Sequence, residues 1–583
     1  VCAAARRRRP GLNAMAFSLR RNFLMNNIRL QALTLLAVTV FLFWWRLGHL
    51  GLIDPDEPFY AQTVREMVQR NDWMTPHIFD QPQFEKPILF YWQGMVALKL
   101  FGDGQGDEFA SRVPSALFAT ALVFLTWRFG RRLFSPSVAF LSALVLATGM
   151  LYVFMARLML TDISLAFFIT AALYGLWMAV HDERHRDRWV ILQFVMSGLA
   201  TLTKGPIGVL LPALGGLAFL WLTKTRSPWR GRGLWIGLAL WTVIVVPWYA
   251  ITLVRYGWEF WDEFFVRDNF DRLIIAEHPR NNTLWYYPLM LLVGMLPWIP
   301  LVPAAVVRAW RAARTWRVAD EHRSMLFVMC WFGPTLIFMT IAQSKLPSYI
   351  FFLFVPFALF LGRALDSWLR AGFSGPVERW LATGLALVQA VALVGATYVK
   401  PEYTAHRWAA LVISVPLALG LLLLLIRKMR AWAWVTVGAS LTVVGVAFTS
   451  LAPELEAHTS TKGIAARIAE FRKPGEKIVT VKFMVRSVDY YARQKPDAVV
   501  HGDKNPWFSP HPIEVVVKSQ GLAEFAANNG GTVLCLGQEV NWRNLNDPQD
   551  PTDAVLRGRC ELLAQVGDRV LFRVTVPPRI AAN

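Results

Sequence analysis

Three carboxylates, Asp54, Asp56 and Glu57, stand within four positions in "GLIDPDEPFYAQTVREM" (51–67), directly after the apolar run "LQALTLLAVTVFLFWW" (30–45). An acid where a hydrocarbon span meets water has two uses. It can cap a helix by accepting from unpaired backbone N–H groups. It can also orient, deprotonate or neutralise a polar substrate at the bilayer surface. Capping accounts for one acid, with Asp56 the expected N-cap and Glu57 and Pro58 in the first turn; three acids together point to chemistry. More polar groups recur where spans end: Glu85 and Lys86 in "FEKPILFYW", Asp162 in "RLMLTDISL" and Lys204 in "TLTKGPIG". The loop "VRDNFDRLIIAEHPRNN" adds Arg267, Asp268, Asp271, Arg272, Glu277, His278 and Arg280, and "QSKLPSYIFF" adds Lys345 and Tyr349. Each has a bland reading as a snorkelling or capping residue. Ionisable groups at a membrane are costly unless paired or functional, and acids beside lysines suit a reaction on an anionic, lipid-linked substrate. Glu85 with His278 is the best donor pair for a divalent metal such as zinc, which ordinarily takes more ligands than two.

The elements that must position these groups are membrane helices. Of 583 residues, 55% are hydrophobic, 26 are Trp and 17% are charged; soluble domains carry about 25% charged residues. Mean hydropathy is +0.37. The chain reads as a polytopic α-helical membrane protein. Its net charge of +20 sits mostly in short loops between spans, a topology signal rather than a nucleic-acid footprint, though some of it suits anionic lipid headgroups. Fourteen apolar segments are countable. The segment 87–101 is about 22 Å long as a helix, too short for a core of about 30 Å, and contains Gln93 and Lys99. It is expected to lie at the interface. About thirteen spans then remain, near 29–50, 113–130, 136–156, 162–180, 189–203, 207–223, 233–253, 284–307, 324–343, 347–362, 380–399, 408–426 and 431–451. Alternate loops such as "RFGRRLF", "KTRSPWRGR" and "RKMR" are all basic, which favours thirteen over fourteen.

This count gives a cytoplasmic basic tail (1–28, an uncleaved signal anchor), a transmembrane catalytic domain (29–451) and an outer soluble α/β domain (452–583). The two long outer loops, 51–112 and 254–283, carry most of the candidate residues. In the first, Tyr60, Val64, Met67 and Val68 form one apolar stripe and Gln62, Arg65, Glu66 and Gln69 the opposite face, as in a helix lying on the membrane. In the last domain "EKIVTVKF", "AVVHG", "GTVLCLG" and "RVLFRVTV" read as strands. Of four cysteines, Cys2 is in the tail and Cys330 in a span; Cys535 and Cys560 are either a disulfide or two buried thiols. Nucleotide-binding glycine motifs are missing, so energy comes from an activated substrate or a gradient.

The stretch "DPDEPFYAQTVREMVQRNDWMTPHIFDQPQFEKPILFYWQGMVALKLFG", with "TDISL", "TKGPIGVLLP", "WYYPLMLLVGMLPW" and "SKLPSYI", resembles membrane glycosyltransferases of the protein-mannosyltransferase type, with GT-C architecture. Within them it looks like the lipid A aminoarabinose transferases of Gram-negative bacteria, over roughly residues 30–365. The resemblance implies an inner-membrane pentosyltransferase, working as a monomer with its site facing the periplasm. It would move 4-amino-4-deoxy-L-arabinose from undecaprenyl phosphate to lipid A phosphates and so confer polymyxin and cationic-peptide resistance. It places Asp56, Glu57, Glu85, Lys86, Asp162, Lys345 and Tyr349 on the family's recurrent polar positions; with Tyr60, Lys204 and Arg272 added from their position and charge, Asp56, Glu57, Asp162 and Lys86 are expected in catalysis, and Tyr60, Glu85, Lys204, Arg272, Lys345 and Tyr349 in substrate binding. The sequence departs from the family at Phe59, where Arg is usual, and at Gln62, where Glu is usual. The alternatives are a sister enzyme moving mannose or another sugar to protein or glycan, and a lipid or solute transporter. The last would show a repeat with charges at mid-membrane, and the acids here gather at one interface.

Overall fold

The computed structural model describes residues 27–104, 106–399, 405–502, 513–546 and 555–579; the basic tail, Cys2 included, lies outside them up to residue 26. Among the described residues eight helices are long and apolar enough to cross a membrane, from Glu108–Leu133 to Met429–Thr449. A ninth appears if Tyr286–Gly294 and Ile299–Arg314, bent by 118°, form one broken span. The break falls in "MLPWIP" (295–300), where Pro297 and Pro300 withhold N–H groups from the helical ladder. Four further apolar helices, Ile28–Trp44, Ile88–Phe101, Pro136–Thr148 and Ile207–Thr223, are shorter than a spanning helix. The helices at 29–50 and 136–156 are therefore shorter than the apolar runs that suggested them, whereas the one at 207–223 has the bounds expected. The first passes into a π-helical turn at Val40–Trp44 and stops, and Gly149 ends the second before a short helix, Met150–Met155.

The core centres on the helix Thr161–His181, which is buried along nearly its whole length and packs against Glu108–Leu133, Arg186–Lys204 and Ile207–Thr223. Gly175 permits the close approach of Arg186–Lys204: a Cβ there would stand 2.9 Å from both Gln193 N and Trp189 O. Arg157 is buried near the end of the first helix, and donates from Nη1 to Leu42 O and from Nη2 to Trp45 O, each at 2.8 Å. Those carbonyls lie at the helix end, where they lack regular helical partners.

After a two-residue hairpin, β1 (His77–Ile78) with β2 (Gln81–Pro82), the remaining strands belong to the C-terminal region. They are β3 (Lys477–Val481), β4 (Ala498–His501), β5 (Glu514–Val517), β6 (Thr532–Gln538), β7 (Cys560–Val566) and β8 (Arg569–Thr575). Their order is β5-β4-β3-β6-β8-β7; β5, β4, β3 and β6 run parallel, and β8 and β7 are antiparallel. Cys535 on β6 and Cys560 on β7 are not bonded to one another. With β8 between them their strands are about 9–10 Å apart, beyond disulfide reach.

The helix Asp56–Arg70 does not lie on the membrane with a wet face. Gln62, Arg65 and Glu66 are buried along with the apolar stripe. Arg65 donates from Nη1 to Tyr490 O (2.8 Å) and from Nη2 to Asp489 O (3.1 Å), in the helix Val485–Ala492 of the C-terminal region. Glu66 accepts from Phe79 N (2.9 Å) and Asp80 N (3.1 Å). The polar face is an internal joint. Polar residues at helical spacing look the same in a sequence whether they meet water or a buried partner.

Candidate functional site

The three clustered acids have three separate fates. Asp54 faces the C-terminal region: Thr461 Oγ1 donates to it at 2.7 Å, Ser487 Oγ also donates, and Arg569 Nη2 stands 3.5 Å away. Burial pushes its carboxyl up to about 6, against the pull of those three partners. Glu57 is 1% exposed and accepts four hydrogen bonds: Arg112 Nε (2.9 Å), Arg112 Nη2 (2.6 Å), Ile53 N (2.8 Å) and Met159 N (2.7 Å). Arg112 also donates to the carbonyls of Leu47, Leu50 and Gly51. Glu57 thus staples the loop to the spans. Asp56 is neither bonded as a cap nor in the cap position, which Pro55 occupies. It opens into a cavity.

That cavity has a volume of about 840 Å³. Its lower wall comes from the membrane helices and their loops. Lys86 Nζ donates to Asp268 Oδ2 at 2.8 Å, and Arg272 Nη2 meets Asp268 Oδ1 at 2.9 Å. Lys204 Nζ donates to Asp162 Oδ1 at 2.6 Å and stands 4.5 Å from the centre of the Tyr349 ring. Arg272 Nη1 donates to the Tyr349 hydroxyl at 2.9 Å. Arg267 and Glu277 complete this wall. The upper wall comes from the C-terminal region: Lys482, Phe483, Arg486, His501, Lys518 and Gln538. Arg486 lies 4.0 Å from the centre of the Phe59 ring and 3.4 Å from Glu85 Oε1. Burial raises the Asp56 carboxyl above its ordinary range; Arg486 opposes the rise most strongly, Glu85 adds to it, and Lys86 and Arg272 oppose it. Burial likewise holds the Tyr60 hydroxyl protonated, as a hydrogen-bond donor.

A second, apolar groove of about 320 Å³ joins this cavity. Leu165, Ile207, Phe265, Phe338 and Phe352 line it, and Lys204, Asp268, Arg272 and Tyr349 line both spaces. The arrangement can seat a charged headgroup at the junction with an apolar tail beside it. Gly205 sets the junction: at φ +83° it ends the helix bearing Lys204, and a Cβ there would stand 2.9 Å from Phe264 Cζ. Gly205→Ala is expected to cost about 1–2 kcal/mol in stability and to lower turnover by displacing Lys204; thermal unfolding and a transfer assay on the purified variant check both.

Asp56, Tyr60, Glu85, Lys86, Asp162, Lys204, Arg272, His278 and Tyr349 all line the cavity. Glu57 and Lys345 do not. Glu57 is consumed by Arg112, and Lys345 Nζ donates to Asn282 Oδ1 at 2.7 Å, pinning the loop beside the site. The expected metal pair also fails. Glu85 is held by Arg486, and among the described residues no group of three or more His, Cys, Asp or Glu is placed to share an ion. Two donors, one of them already in an ion pair, do not fit a zinc centre.

Sequence reading missed the upper wall. Val481, His501 and Gln538 end β3, β4 and β6, and Lys518 follows β5, so the wall is the carboxyl edge of the parallel strands, where open α/β sheets bind ligands. The available signal was "TVKFMVRS", a strand running directly into two cations.

Residues 85–251 match the family described as dolichyl-phosphate-mannose-protein mannosyltransferase. The chain is similar to undecaprenyl phosphate-α-4-amino-4-deoxy-L-arabinose arabinosyl transferase 1 of Pseudomonas fluorescens Pf-5, 31% identical over 431 residues, 71% of this chain and 75% of that one. The enzyme of the same name from Erwinia tasmaniensis is 32% identical over 317 residues, 53% of this chain and 55% of that one; here the match spans about half the relative's length. The crystal structure of ArnT from Cupriavidus metallidurans bound to undecaprenyl phosphate superposes with a TM-score of 0.71 at 23% identity, covering 93% of this chain and 97% of that one. The archaeal oligosaccharyltransferase of Archaeoglobus fulgidus, 12% identical, gives a TM-score of 0.51 over 88% of this chain and 68% of that one.

Proposed function

Because the chain belongs to the undecaprenyl phosphate-α-4-amino-4-deoxy-L-arabinose arabinosyl transferase family, we propose that it moves 4-amino-4-deoxy-L-arabinose from undecaprenyl phosphate to a phosphate of lipid A. It is a polytopic glycosyltransferase of GT-C architecture. The reaction would take place at the periplasmic face of the inner membrane, with about thirteen transmembrane helices, the loops 51–112 and 254–283 and the domain 452–583 outside, and the basic loops and tail inside. The catalytic unit would be a single chain. The product would lower the negative charge of lipid A and so weaken binding of polymyxin and cationic peptides.

The observation that carries this reading is the junction between the two spaces. Lys204, Arg272 and Tyr349 converge where the polar cavity meets the apolar groove. A polyprenyl phosphate needs this pairing: cations and a hydroxyl at the phosphate and a dry channel for the first isoprenes. The same groups stabilise the charge that grows on the phosphate as it leaves the anomeric carbon. A lipid A phosphate is already largely anionic near neutral pH, so it attacks without a base. Asp56 then serves the donor: it pairs with the sugar ammonium and fixes the ring. Asp162, bound to Lys204, orients that lysine.

The match of residues 85–251 to the mannosyltransferase description favours one other reading, transfer of a hexose to protein or glycan. Mass spectrometry separates the two. Lipid A from a polymyxin-sensitive strain lacking its own transferase, and expressing this chain, is expected to gain the mass of one aminoarabinose per modified phosphate. Unmodified lipid A from well-expressed protein would remove the proposal in favour of the other acceptors.

A further inference from the structure

We propose that the carboxyl edge of the C-terminal sheet is a second anion subsite, which holds the acceptor's phosphate monoester against Lys482 and Arg486 while the donor phosphate occupies Lys204, Arg272 and Tyr349. The inference rests on the sugar-transfer reading above. Direct displacement between two phosphates requires both anions to stand about one carbon at the same time, and one set of cations serves only one of them. The cavity carries two sets, from separate parts of the chain. The lower set borders the apolar groove and suits the phosphate with the polyprenyl tail; neither Lys482 nor Arg486 borders that groove. The upper set sits where β3 ends and the helix Val485–Ala492 begins. Neighbours in the sheet lie on both sides of β3 there, β4 on one and β6 on the other, so the chain's path across the sheet reverses at the binding edge. Asp56 and Tyr60 line the same cavity.

Arg486 is prepared for this task. Its guanidinium lies on the Phe59 ring at 4.0 Å and contacts Glu85 at 3.4 Å. Stacking fixes the plane of the fork, and a planar fork recognises phosphate through paired hydrogen bonds. In the reaction, an unprotonated acceptor oxygen forms a bond to the anomeric carbon as the bond to the donor phosphate oxygen breaks. The bonding pair leaves with undecaprenyl phosphate, which becomes a monoester, and the acceptor becomes a diester. No proton moves, and one unit of negative charge passes from the upper set to the lower.

The test uses the full chain in nanodiscs, with undecaprenyl-linked aminoarabinose and lipid A. Arg486→Gln and Lys482→Gln are each expected to raise the KM for lipid A by roughly 10–100-fold, with the donor KM and inhibition by undecaprenyl phosphate unchanged. Arg486→Lys is expected to recover part of the loss. Unchanged acceptor KM in both Gln variants, or equal shifts for donor and acceptor, would overturn the subsite. If Arg486→Gln unfolds, Lys482→Gln carries the comparison. Binding of radiolabelled lipid A without donor reads the subsite independently of turnover. A wild-type chain that binds lipid A through these residues yet transfers nothing would refute the sugar-transfer reading and leave the subsite standing; binding unaffected by either variant would refute the subsite.

Discussion

Asp56→Asn is expected to yield a folded protein whose transfer rate falls by about 10²–10³-fold, with its unfolding temperature close to wild type. Asp56 opens into the cavity and caps nothing, so the substitution removes a charge from the site and no structural hydrogen bond. The pH dependence has a definite sign. Burial holds the Asp56 carboxyl above the ordinary range, so it takes up a proton at a higher pH than an exposed aspartate, near 3.9. As pH falls through the raised value the negative charge is lost. The acid limb of the wild-type rate profile is therefore expected above the usual carboxylate range and is expected to disappear in Asp56→Asn. A rate profile in nanodiscs with a parallel unfolding curve checks both; full activity in the variant would remove Asp56 from the site.

The neighbouring residue is expected to behave in the opposite way. Glu57→Ala leaves the Arg112 guanidinium buried without its carboxylate, and breaking such a pair costs about 3–5 kcal/mol. It also strands the N–H groups of Ile53 and Met159. The expected result is loss of monodisperse protein on size exclusion and a markedly lower unfolding temperature. Adding Arg112→Met should restore part of the stability, because the uncompensated charge is then gone. A Glu57→Ala variant that melts like wild type would show that the staple is dispensable.

These adjacent acids show what a sequence can reveal. Clustering at a span end marks Asp56 and Glu57 equally, since both costs and uses of charge are the same for each at that depth. Successive helical residues point about 100° apart, and only tertiary packing decides that one meets Arg112 and the other the cavity. Lys86, Asp162, Lys204, Arg272 and Tyr349 were legible because polar groups stand out against apolar spans. Arg486 and Lys482 were not, because a soluble domain is full of exposed cations and only the strand register shows which edge they end on. The same limit hid the buried polar face of the helix Asp56–Arg70, whose partners at 489 and 490 are more than 400 residues away. The cysteine question turned on a single strand, β8, inserted between β6 and β7.

Asp268 bridges Lys86 and Arg272, and this has a consequence for how the protein discriminates among ions. A bare pair of cations would gather any small anion from solution and release it as ionic strength rose. Here an internal carboxylate already occupies both. An incoming phosphate must trade places with it, so the net energy of occupancy is a difference between two anions on the same partners. Chloride gains little from such an exchange, whereas a phosphodiester can present one free oxygen to each cation at once. Recognition would then depend on the shape of the anion more than on attraction at a distance, and donor occupancy is expected to vary little with ionic strength.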